Sequence, residues 1–391
     1  MASYASDRAR DRIAELAGRG HDLVTFWREA TEVLRSAVQH YWTPCWYTLD
    51  PASVLVTSHF HEGLDELPPE WLAHEYYEDD VNKLADVARS ERGVSTLHEA
   101  TGGDPTSSPR WHFNMTMGGD QELIAALRTP TRDAWGALGL YREPGAPLFD
   151  REDLELVRSL APFLAEGARR ALLVGEASDP EGPESPGLVV LTDRWNVESA
   201  TPGVQRWLSE LPDGEWDAGR LPAAVYAVAG RALRTADGPN APGEVAVARV
   251  LSRSGTWFVL HGAALVADGA RRVAVIVEPA HPARISPLLM SAYGLTQREQ
   301  EVTRLVLQGE STAEIAERLV VSPHTVQQHL KRVFEKTGVR SRRDLVGKVF
   351  FTHYEPRVRD NERRMLVNQP LRGGPYRGRN RLSGATDTPR G

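Results

Sequence analysis

The chain of 391 residues has very little cysteine and no long apolar run. Cys45 is the single cysteine, which excludes an intramolecular disulfide and favours a reducing compartment. No stretch approaches the roughly 18 consecutive apolar residues that a membrane-spanning helix needs. The N-terminal stretch "MASYASDRARDRIAELAGRG" is charged and has no apolar core, unlike a signal peptide. We therefore expect a cytoplasmic protein without a membrane segment.

The signatures of several catalytic and metal-binding classes are also missing. The sequence has no Gly-x-Ser-x-Gly or His-Glu-x-x-His motif and no phosphate-binding Gly-x-x-x-x-Gly-Lys loop. His59 and His61, with Glu62, would face one side of a strand, but two imidazoles need a third or fourth ligand to hold a metal. Cys45 lies among tryptophans, which favours a buried structural thiol over a redox sensor. We therefore expect a protein that is not an enzyme and holds no metal or cofactor.

The net charge of −7 is unevenly distributed along the chain. Residues 295–351 contain ten Lys or Arg and seven Asp or Glu, and residues 352–391 contain nine and four. The first 294 residues therefore carry a net charge of −15. An acidic body with a basic end predicts that the end binds a partner, and nucleic acid is the obvious polyanion. A solvated basic tail is the alternative interpretation.

Residues 1–174 have the pattern of one α+β domain. A helical spacing of apolar residues is followed by "CWYTLDPASVLVTSHF", two β-rich runs about an Asp-Pro turn. Asp150, with Asp153 three residues later, can cap a long helix that ends near Leu173. Six of the ten tryptophans of the chain lie in this domain. Packing explains them, and a small-molecule pocket lined by aromatic side chains is the functional alternative.

A second α+β domain is predicted over residues 187–284. It follows an acidic linker at 175–186 that is rich in Pro, Gly and Ser. β-Branched runs such as "GLVVLTD" and "RRVAVIVEPA" indicate strands. The three prolines of "EPAHPARISP" predict a second hinge without a continuous helix. Residues 352–391 read as a basic, partly disordered tail.

Residues 288–351 carry the clearest helix signals of the chain. They predict four short helices, near 297–308, 312–319, 323–336 and 342–351. The starts and stops that define them are Thr296 with Glu299, Ser311 with Glu314, Ser322 with Pro323, Ser341 with Asp344, and the glycines Gly309 and Gly338.

The second and third of these helices are joined by only three residues, Val320 to Ser322, which predicts a helix-turn-helix. Its second helix would enter the major groove of DNA. Apolar residues at helical spacing on the two helices predict the core between them. These residues are Ile315, Ala316, Leu319, Val326, Leu330 and Val333.

The face of the third helix opposite this core carries amide and basic side chains. Glutamine can pair with adenine and lysine can donate to guanine, so the predicted base contacts are Gln327, Gln328 and Lys331. Hydroxyl and basic side chains around them suit phosphates. The predicted phosphate contacts are Ser322, Thr325, Arg332, Lys336, Arg340, Arg342 and Arg343. A solvent-exposed polar face on a helical bundle is the alternative for each residue taken singly.

The segment 295–346 resembles the LuxR-type helix-turn-helix domain. The resemblance covers about a seventh of the chain and implies a DNA-binding regulator of transcription that acts as a homodimer. The family's base-contacting positions fall on Gln327, Gln328 and Lys331, with glutamine at 327 where lysine is common. The matching residues are Leu295, Thr296, Arg298, Glu299, Val302, Gly309, Ser311, Glu314, Ile315, Ala316, Leu319, Ser322, Thr325, Val326, His329, Lys336, Gly338, Val339 and Arg342.

The two upstream regions resemble sensor domains. "DAWGALGLYREPGAPLFDREDLELVRSLAPFLAEGARRALL" is similar to the end of a GAF-type domain, and "GLVVLTDRWNVESATPGVQRWL" to the opening of a PAS-type domain. These resemblances imply a multidomain α+β chain, with GAF-like and PAS-like sensors followed by an all-α domain of four helices. We expect a double-stranded DNA partner and a signal from a small-molecule effector or a protein. The alternative is a ligand-binding sensor whose helical end docks a protein partner.

Overall fold

A computed structural model describes residues 2–62, 69–173, 186–216, 220–238, 245–267, 270–280 and 282–353. They form a first α+β region, a second α+β region and a helical C-terminal region. The predictions of a linker at 175–186 and a tail at 352–391 lie almost entirely outside the described residues.

The first region contains one five-stranded antiparallel sheet with the strand order β2-β1-β5-β4-β3. Its strands are β1 (Cys45–Asp50), β2 (Leu55–Phe60), β3 (Val94–Thr96), β4 (Gln121–Arg128) and β5 (Ala134–Arg142). Its helices are α1 (Ala2–Gly18), α2 (Leu23–Ala37), α3 (Pro69–Tyr77), α4 (Leu84–Arg89), α5 (Leu97–Ala100), α6 (Pro109–Thr116) and α7 (Arg151–Ala171).

Both faces of this sheet are covered. On one face, Leu138 and Leu140 of β5 pack into a core with apolar side chains of α1, α2 and α7. On the other face, Tyr47 and Tyr141 lie in a second core with Trp71 of α3. The sequence predicted the β1–β2 hairpin and the capping box that begins α7, and both are present.

The second region repeats this strand order. Its strands are β6 (Gly187–Thr192), β7 (Val197–Ala200), β8 (Val247–Leu251), β9 (Trp257–Ala267) and β10 (Ala270–Pro279), and its helices are α8 (Val204–Glu210) and α9 (Ala223–Asp237). The order β7-β6-β10-β9-β8, again antiparallel, matches the first sheet strand for strand when each is counted from its own start.

Helix α9 joins the two regions into one packed body. All eleven residues from Ala223 to Leu233 are buried, since the helix lies on β9 of the second sheet and against β2 and α3 of the first region. At Gly262 of β9 a Cβ atom would lie only 2.8 Å from the backbone oxygen of Val228. Glycine there lets the helix approach the sheet closely. The apolar core on this side is therefore continuous across both regions.

The predicted hinge before the C-terminal region is wrong, because it is a helix, α10 (Pro282–Ala292). Pro282 takes the first helical position, where its missing N–H is not needed. Pro287 lies inside the helix and removes one backbone hydrogen bond. Packing outweighs that loss, because Ile285, Leu288 and Leu289 are buried against Trp135 of β5 and Trp257 of β9.

The C-terminal region has the four predicted helices. They are α11 (Gln297–Leu307), α12 (Thr312–Arg318), α13 (Pro323–Thr337) and α14 (Arg342–His353). The capping boxes at Thr296 and Ser311 are both formed, and Gly338 ends α13 in the left-handed conformation with φ of +66°. Local capping chemistry therefore fixes the helix bounds to within a residue or two.

Candidate nucleic-acid interface

Helices α12 and α13 pack through the apolar side chains expected from their spacing. Ile315, Ala316, Val326, Leu330 and Val333 are buried in one core. Leu319 is half-buried and packs against that core. The two helices thus pack directly against each other across a short turn, as the helices of a helix-turn-helix do.

The turn between the helices is tight. Val320 has a φ of +54° and is 90% exposed. A β-branched residue rarely adopts positive φ, so the turn holds a conformation that its sequence disfavours. The amide of Val321 donates to the carbonyl of Ala316 and closes the turn.

The N-terminus of α13 is open to solvent and well defined. The Ser322 hydroxyl accepts from the amide of Thr325 at 3.1 Å, and Pro323 occupies the first helical position. From Pro323 to Phe334 the helix carries no acidic residue. Backbone N–H groups and the helix dipole at this end therefore favour an anion such as phosphate.

The three predicted base-contacting side chains are all exposed on the face opposite the core. The Gln327 amide donates to the Thr312 hydroxyl at 3.3 Å. The Gln328 amide lies 3.0 Å from a ring nitrogen of His324. Lys331 follows one turn later on the same face. This face therefore presents amide and ammonium groups, which are chemically able to hydrogen-bond to base edges.

His324 is a candidate contact that sequence reasoning missed. It is exposed on the first turn of α13, directly before Thr325 and four residues before its neighbour Gln328. Its position at the N-terminus of the helix was the available signal, since those residues are the ones that reach base edges in a helix-turn-helix.

The five basic residues among the predicted phosphate contacts fall into two groups. Arg332, Arg340 and Arg343 are exposed. Lys336 donates to the Gly294 carbonyl at 2.9 Å and to Glu299 Oε2 at 2.6 Å, and Arg342 donates to the Glu310 carbonyl. Sequence patterns could not distinguish the groups, because these bonds join residues more than 30 positions apart.

Two acidic side chains of the domain, Glu299 and Glu314, are held at helix starts. Burial raises the pKa of Glu299, but hydrogen bonds from Lys336 and Thr296 outweigh burial, and its pKa is lowered. Hydrogen bonds at Ser311 likewise lower the pKa of Glu314. Both carboxylates therefore stay charged as parts of capping boxes.

The other candidate sites have structural partners. The ring Nδ1 of His59 lies 2.8 Å from Asp213 Oδ2. Burial raises the pKa of the Cys45 thiol to about 12, so this thiol lacks the thiolate character of a reactive cysteine.

Within the described ranges, no three His, Cys, Asp or Glu side chains lie close enough together to act as metal ligands. In the same ranges, every helix is too short or too polar to cross a bilayer.

Comparison with known proteins identifies the C-terminal domain. The family model of bacterial regulatory proteins, luxR family, matches residues 294–349. The spore germination protein GerE of Bacillus subtilis is 42% identical over 52 residues, which are 13% of this chain and 70% of that protein. An HTH-type transcriptional regulator of Mycobacterium bovis is 54% identical over 52 residues, which are 13% of this chain.

These sequence matches are confined to the helix-turn-helix domain and so cover a small part of this chain and of some relatives. It spans only 6% of the length of the Mycobacterium bovis regulator. A crystal structure of a phage VqmA–DPO complex aligns with 42% of this chain and 80% of its own at 18% identity, with a TM-score of 0.22, too low to indicate a shared overall fold. Through its helix-turn-helix domain, the chain belongs to the luxR family of bacterial regulatory proteins.

Proposed function

We propose that this protein is a sequence-specific DNA-binding regulator of transcription that acts in the cytoplasm and catalyses no reaction. The observation that carries the proposal is the exposed face of α13, with its free N-terminus and its amide and basic side chains, on the helix-turn-helix of a luxR-family domain. The relatives named as transcriptional regulators support it.

In this proposal α13 lies in the major groove and reads bases with Gln327, Gln328 and Lys331. Arg332, Arg340 and Arg343, which are exposed, neutralise phosphates. The hydroxyls of Ser322 and Thr325 lie at the N-terminus of the helix, where they assist phosphate binding. Lys336 and Arg342 act in two ways: they tie α13 and α14 to their neighbours, and their remaining N–H groups contact phosphate.

The upstream regions act as sensors in this proposal, GAF-like over 1–174 and PAS-like over 187–284. Their signal is a small molecule or a protein, and it changes the DNA affinity of a homodimer by favouring one conformation over another. The packing of α10 against both regions supports this coupling, because the same helix leads directly into the DNA-binding domain.

The test begins by selecting duplexes from a random pool with the full-length protein. Binding of the selected and a scrambled duplex is then measured across a range of salt concentrations. Lys331→Ala should lower the preference for the selected duplex by about 10–100-fold, because it removes a base contact. Arg343→Ala should weaken binding to both duplexes and reduce the salt slope by about one.

Arg206→Ala, which removes an exposed arginine of the second region, is the matched control and should change neither quantity. If the wild-type protein prefers no duplex over the scrambled one at low salt, the proposal is contradicted. The helical end would then be a docking module for a protein partner.

A further inference from the structure

A cavity of about 340 Å³ opens on the first region, away from the residues discussed above. Its walls come from β4, the β4–β5 turn, α7 and the loop before β3. Four arginines line it, Arg92, Arg128, Arg132 and Arg158, and Glu91 is the acidic residue among the lining side chains. This concentration of positive charge contrasts with the net −15 of the first 294 residues.

Arg128 is held in place by its surroundings. Its Nη1 donates to the Ser90 carbonyl at 2.5 Å and its Nη2 to the Glu91 carbonyl at 3.0 Å. Gly93 has a φ of +69°, and a Cβ atom there would lie only 2.2 Å from Arg128 Nη2. The guanidinium lies directly over Gly93, whose positive φ favours glycine at this position. The two carbonyl acceptors thus orient the Arg128 guanidinium at the edge of the cavity.

Three of the four arginines at this cavity have no carboxylate partner among the described residues. Arg92 pairs with Glu99 at 2.6 Å, but within the described part of the chain Arg128, Arg132 and Arg158 form no ion pair with a carboxylate. Burial lowers the pKa of Arg128, and the charges of Arg132 and Arg158 lower it further. Arg128 thus lies close to the exposed guanidinium groups of Arg132 and Arg158, and a bound anion would reduce the repulsion among the three.

We propose that this cavity binds a compact small molecule that carries a phosphoryl group and at least two negative charges. Guanidinium groups match phosphoryl oxygens with paired hydrogen bonds, and Arg128, Arg132 and Arg158 supply them from three elements. Cavities of about 300–1,000 Å³ hold small ligands. The walls converge on a concave site, whereas the backbone of duplex DNA is a convex surface, so a free small anion fits better.

The cavity is connected to the DNA-binding domain through the β4–β5 turn, residues 129–133. Asp133 in that turn accepts a hydrogen bond from Ser291 of α10 at 2.6 Å. Trp135, two residues later, packs against the same helix. Met290 of α10 lies in the core of the helix-turn-helix domain. The bound anion would therefore act on a turn that contacts α10, and this regulatory role rests on the proposed function.

The binding test uses inorganic pyrophosphate and the full-length protein, by isothermal titration calorimetry at constant ionic strength. The wild-type protein should bind pyrophosphate at a single class of site. The double variant Arg132→Ala/Arg158→Ala should bind at least about tenfold more weakly, since it loses two charge-assisted contacts. The control variant Arg194→Ala/Arg206→Ala has the same net charge, lacks two exposed arginines of the second region, and should bind within about twofold of wild type.

The proposed site would be overturned if the wild-type protein did not bind pyrophosphate. It would also be overturned if the Arg132/Arg158 variant bound pyrophosphate as tightly as the control variant. The Arg132/Arg158 variant should also be at least as stable to heat as the wild type, because it relieves repulsion. That measurement separates loss of the site from loss of the fold, since a misfolded variant would show a lowered melting temperature.

A second arm measures the affinity for the selected duplex with and without pyrophosphate. Pyrophosphate should change the Kd at least about threefold in the wild type and control but not in the Arg132/Arg158 variant. An unchanged Kd in the wild type would overturn the regulatory role. If the Arg132/Arg158 variant binds DNA more weakly without pyrophosphate and with a smaller salt slope, these arginines contact the DNA backbone, and the proposal is overturned. A protein that binds pyrophosphate but no duplex would contradict the proposed function alone.

Discussion

The two sheets of this protein share one strand order but differ in how they are covered. All nine residues of β5, the central strand of the first sheet, are buried. In the second sheet β6 alternates between buried and half-buried residues, and all four residues of β7 are exposed. Leu265 and Ile276, at 42% and 40% exposed, mark the open face. The same topology thus supports both a fully enclosed and a half-open sheet.

Flanking helices account for the difference. In the first region α1, α2 and α7 cover the face opposite the Tyr47 side. The second region has α8 and α9 on one face, and on the other α10 covers only the corner near Trp257 and Val259. The pattern of apolar residues in a strand therefore indicates whether one or both faces of its sheet are covered. The strand order does not, because it is the same in both sheets.

The largest expected effect concerns the buried charges of the first region, between the enclosed sheet and its helices. Arg110 lies 2.5 Å from Glu75 and 2.6 Å from Glu122, and all three are buried. Arg110→Met would leave two carboxylates unpaired and should cost about 3–5 kcal/mol of unfolding free energy. Chemical denaturation, monitored by tryptophan fluorescence, measures this loss of unfolding free energy.

Arg272→Met, which breaks the exposed pair of the second sheet with Glu198, is the matched control for Arg110→Met and should cost less than about 1 kcal/mol. Equal costs for the two variants would show that burial does not distinguish the two sheets.

The next effect compares the central strands directly. Leu138 of β5 is fully buried, and Ile276 of β10 lies on the open face of the equivalent strand. Leu138→Ala should cost about 2–5 kcal/mol, because it leaves a cavity in a closed core. Ile276→Ala should cost less than about 1 kcal/mol. Urea denaturation of both variants measures the difference, and a costly Ile276→Ala would indicate that this face is covered in solution.

A smaller effect is expected at the seam between the two regions. His61 stacks on His59, whose ring bonds to Asp213 of the second region. Burial and the neighbouring His59 lower the pKa of His61 to about 4. The folded state thus prefers neutral His61, so this stability is complete above about pH 6.5 and is lost as pH falls towards 4.

The contribution of His61 should reach a few kcal/mol at most. His61→Gln should flatten the dependence of the melting temperature on pH between about 4 and 6.5, as measured by scanning calorimetry. An identical pH profile in the variant would show that His61 does not titrate differently on folding.

The smallest effect is expected at Leu265 on the open face of the second sheet. Leu265→Thr should change the unfolding free energy by no more than about 0.5 kcal/mol, because threonine suits a strand and the side chain is already partly in water. Leu140→Thr, in the enclosed sheet, is the buried counterpart and should cost several times more. Thermal unfolding of the pair tests the ratio.

The C-terminal helices could be predicted from the sequence because capping is local. Thr296, Ser311 and Ser322 each bond to an amide three residues ahead, and such pairs are visible in the sequence. The apolar spacing of α12 and α13 likewise indicated which side chains are buried in the core and which are exposed on the opposite face. Most residues of the candidate interface could therefore be predicted from the sequence.

Three elements were not predictable in the same way. Helix α9 is buried from Ala223 to Leu233, because elements of both regions enclose it, so this stretch has no exposed polar face to mark a helix. Strand β4 carries Glu122 inside the protein, where Arg110 and Asn114 compensate it, and this breaks the apolar pattern of a buried strand. Helix α10 contains Pro287, which reads as a break. In each case distant residues override the local signal.

The position of α10 has a mechanical consequence. One side of this short helix is clamped between Trp135 and Trp257, and Met290 on the same helix is embedded among the helices that hold α13. A helix of eleven residues is stiff. A small tilt of α10 where it contacts Trp135 and Trp257 would therefore also move Met290 and the helices packed around it. The orientation of α13 is thereby linked to the spacing between the two sheets.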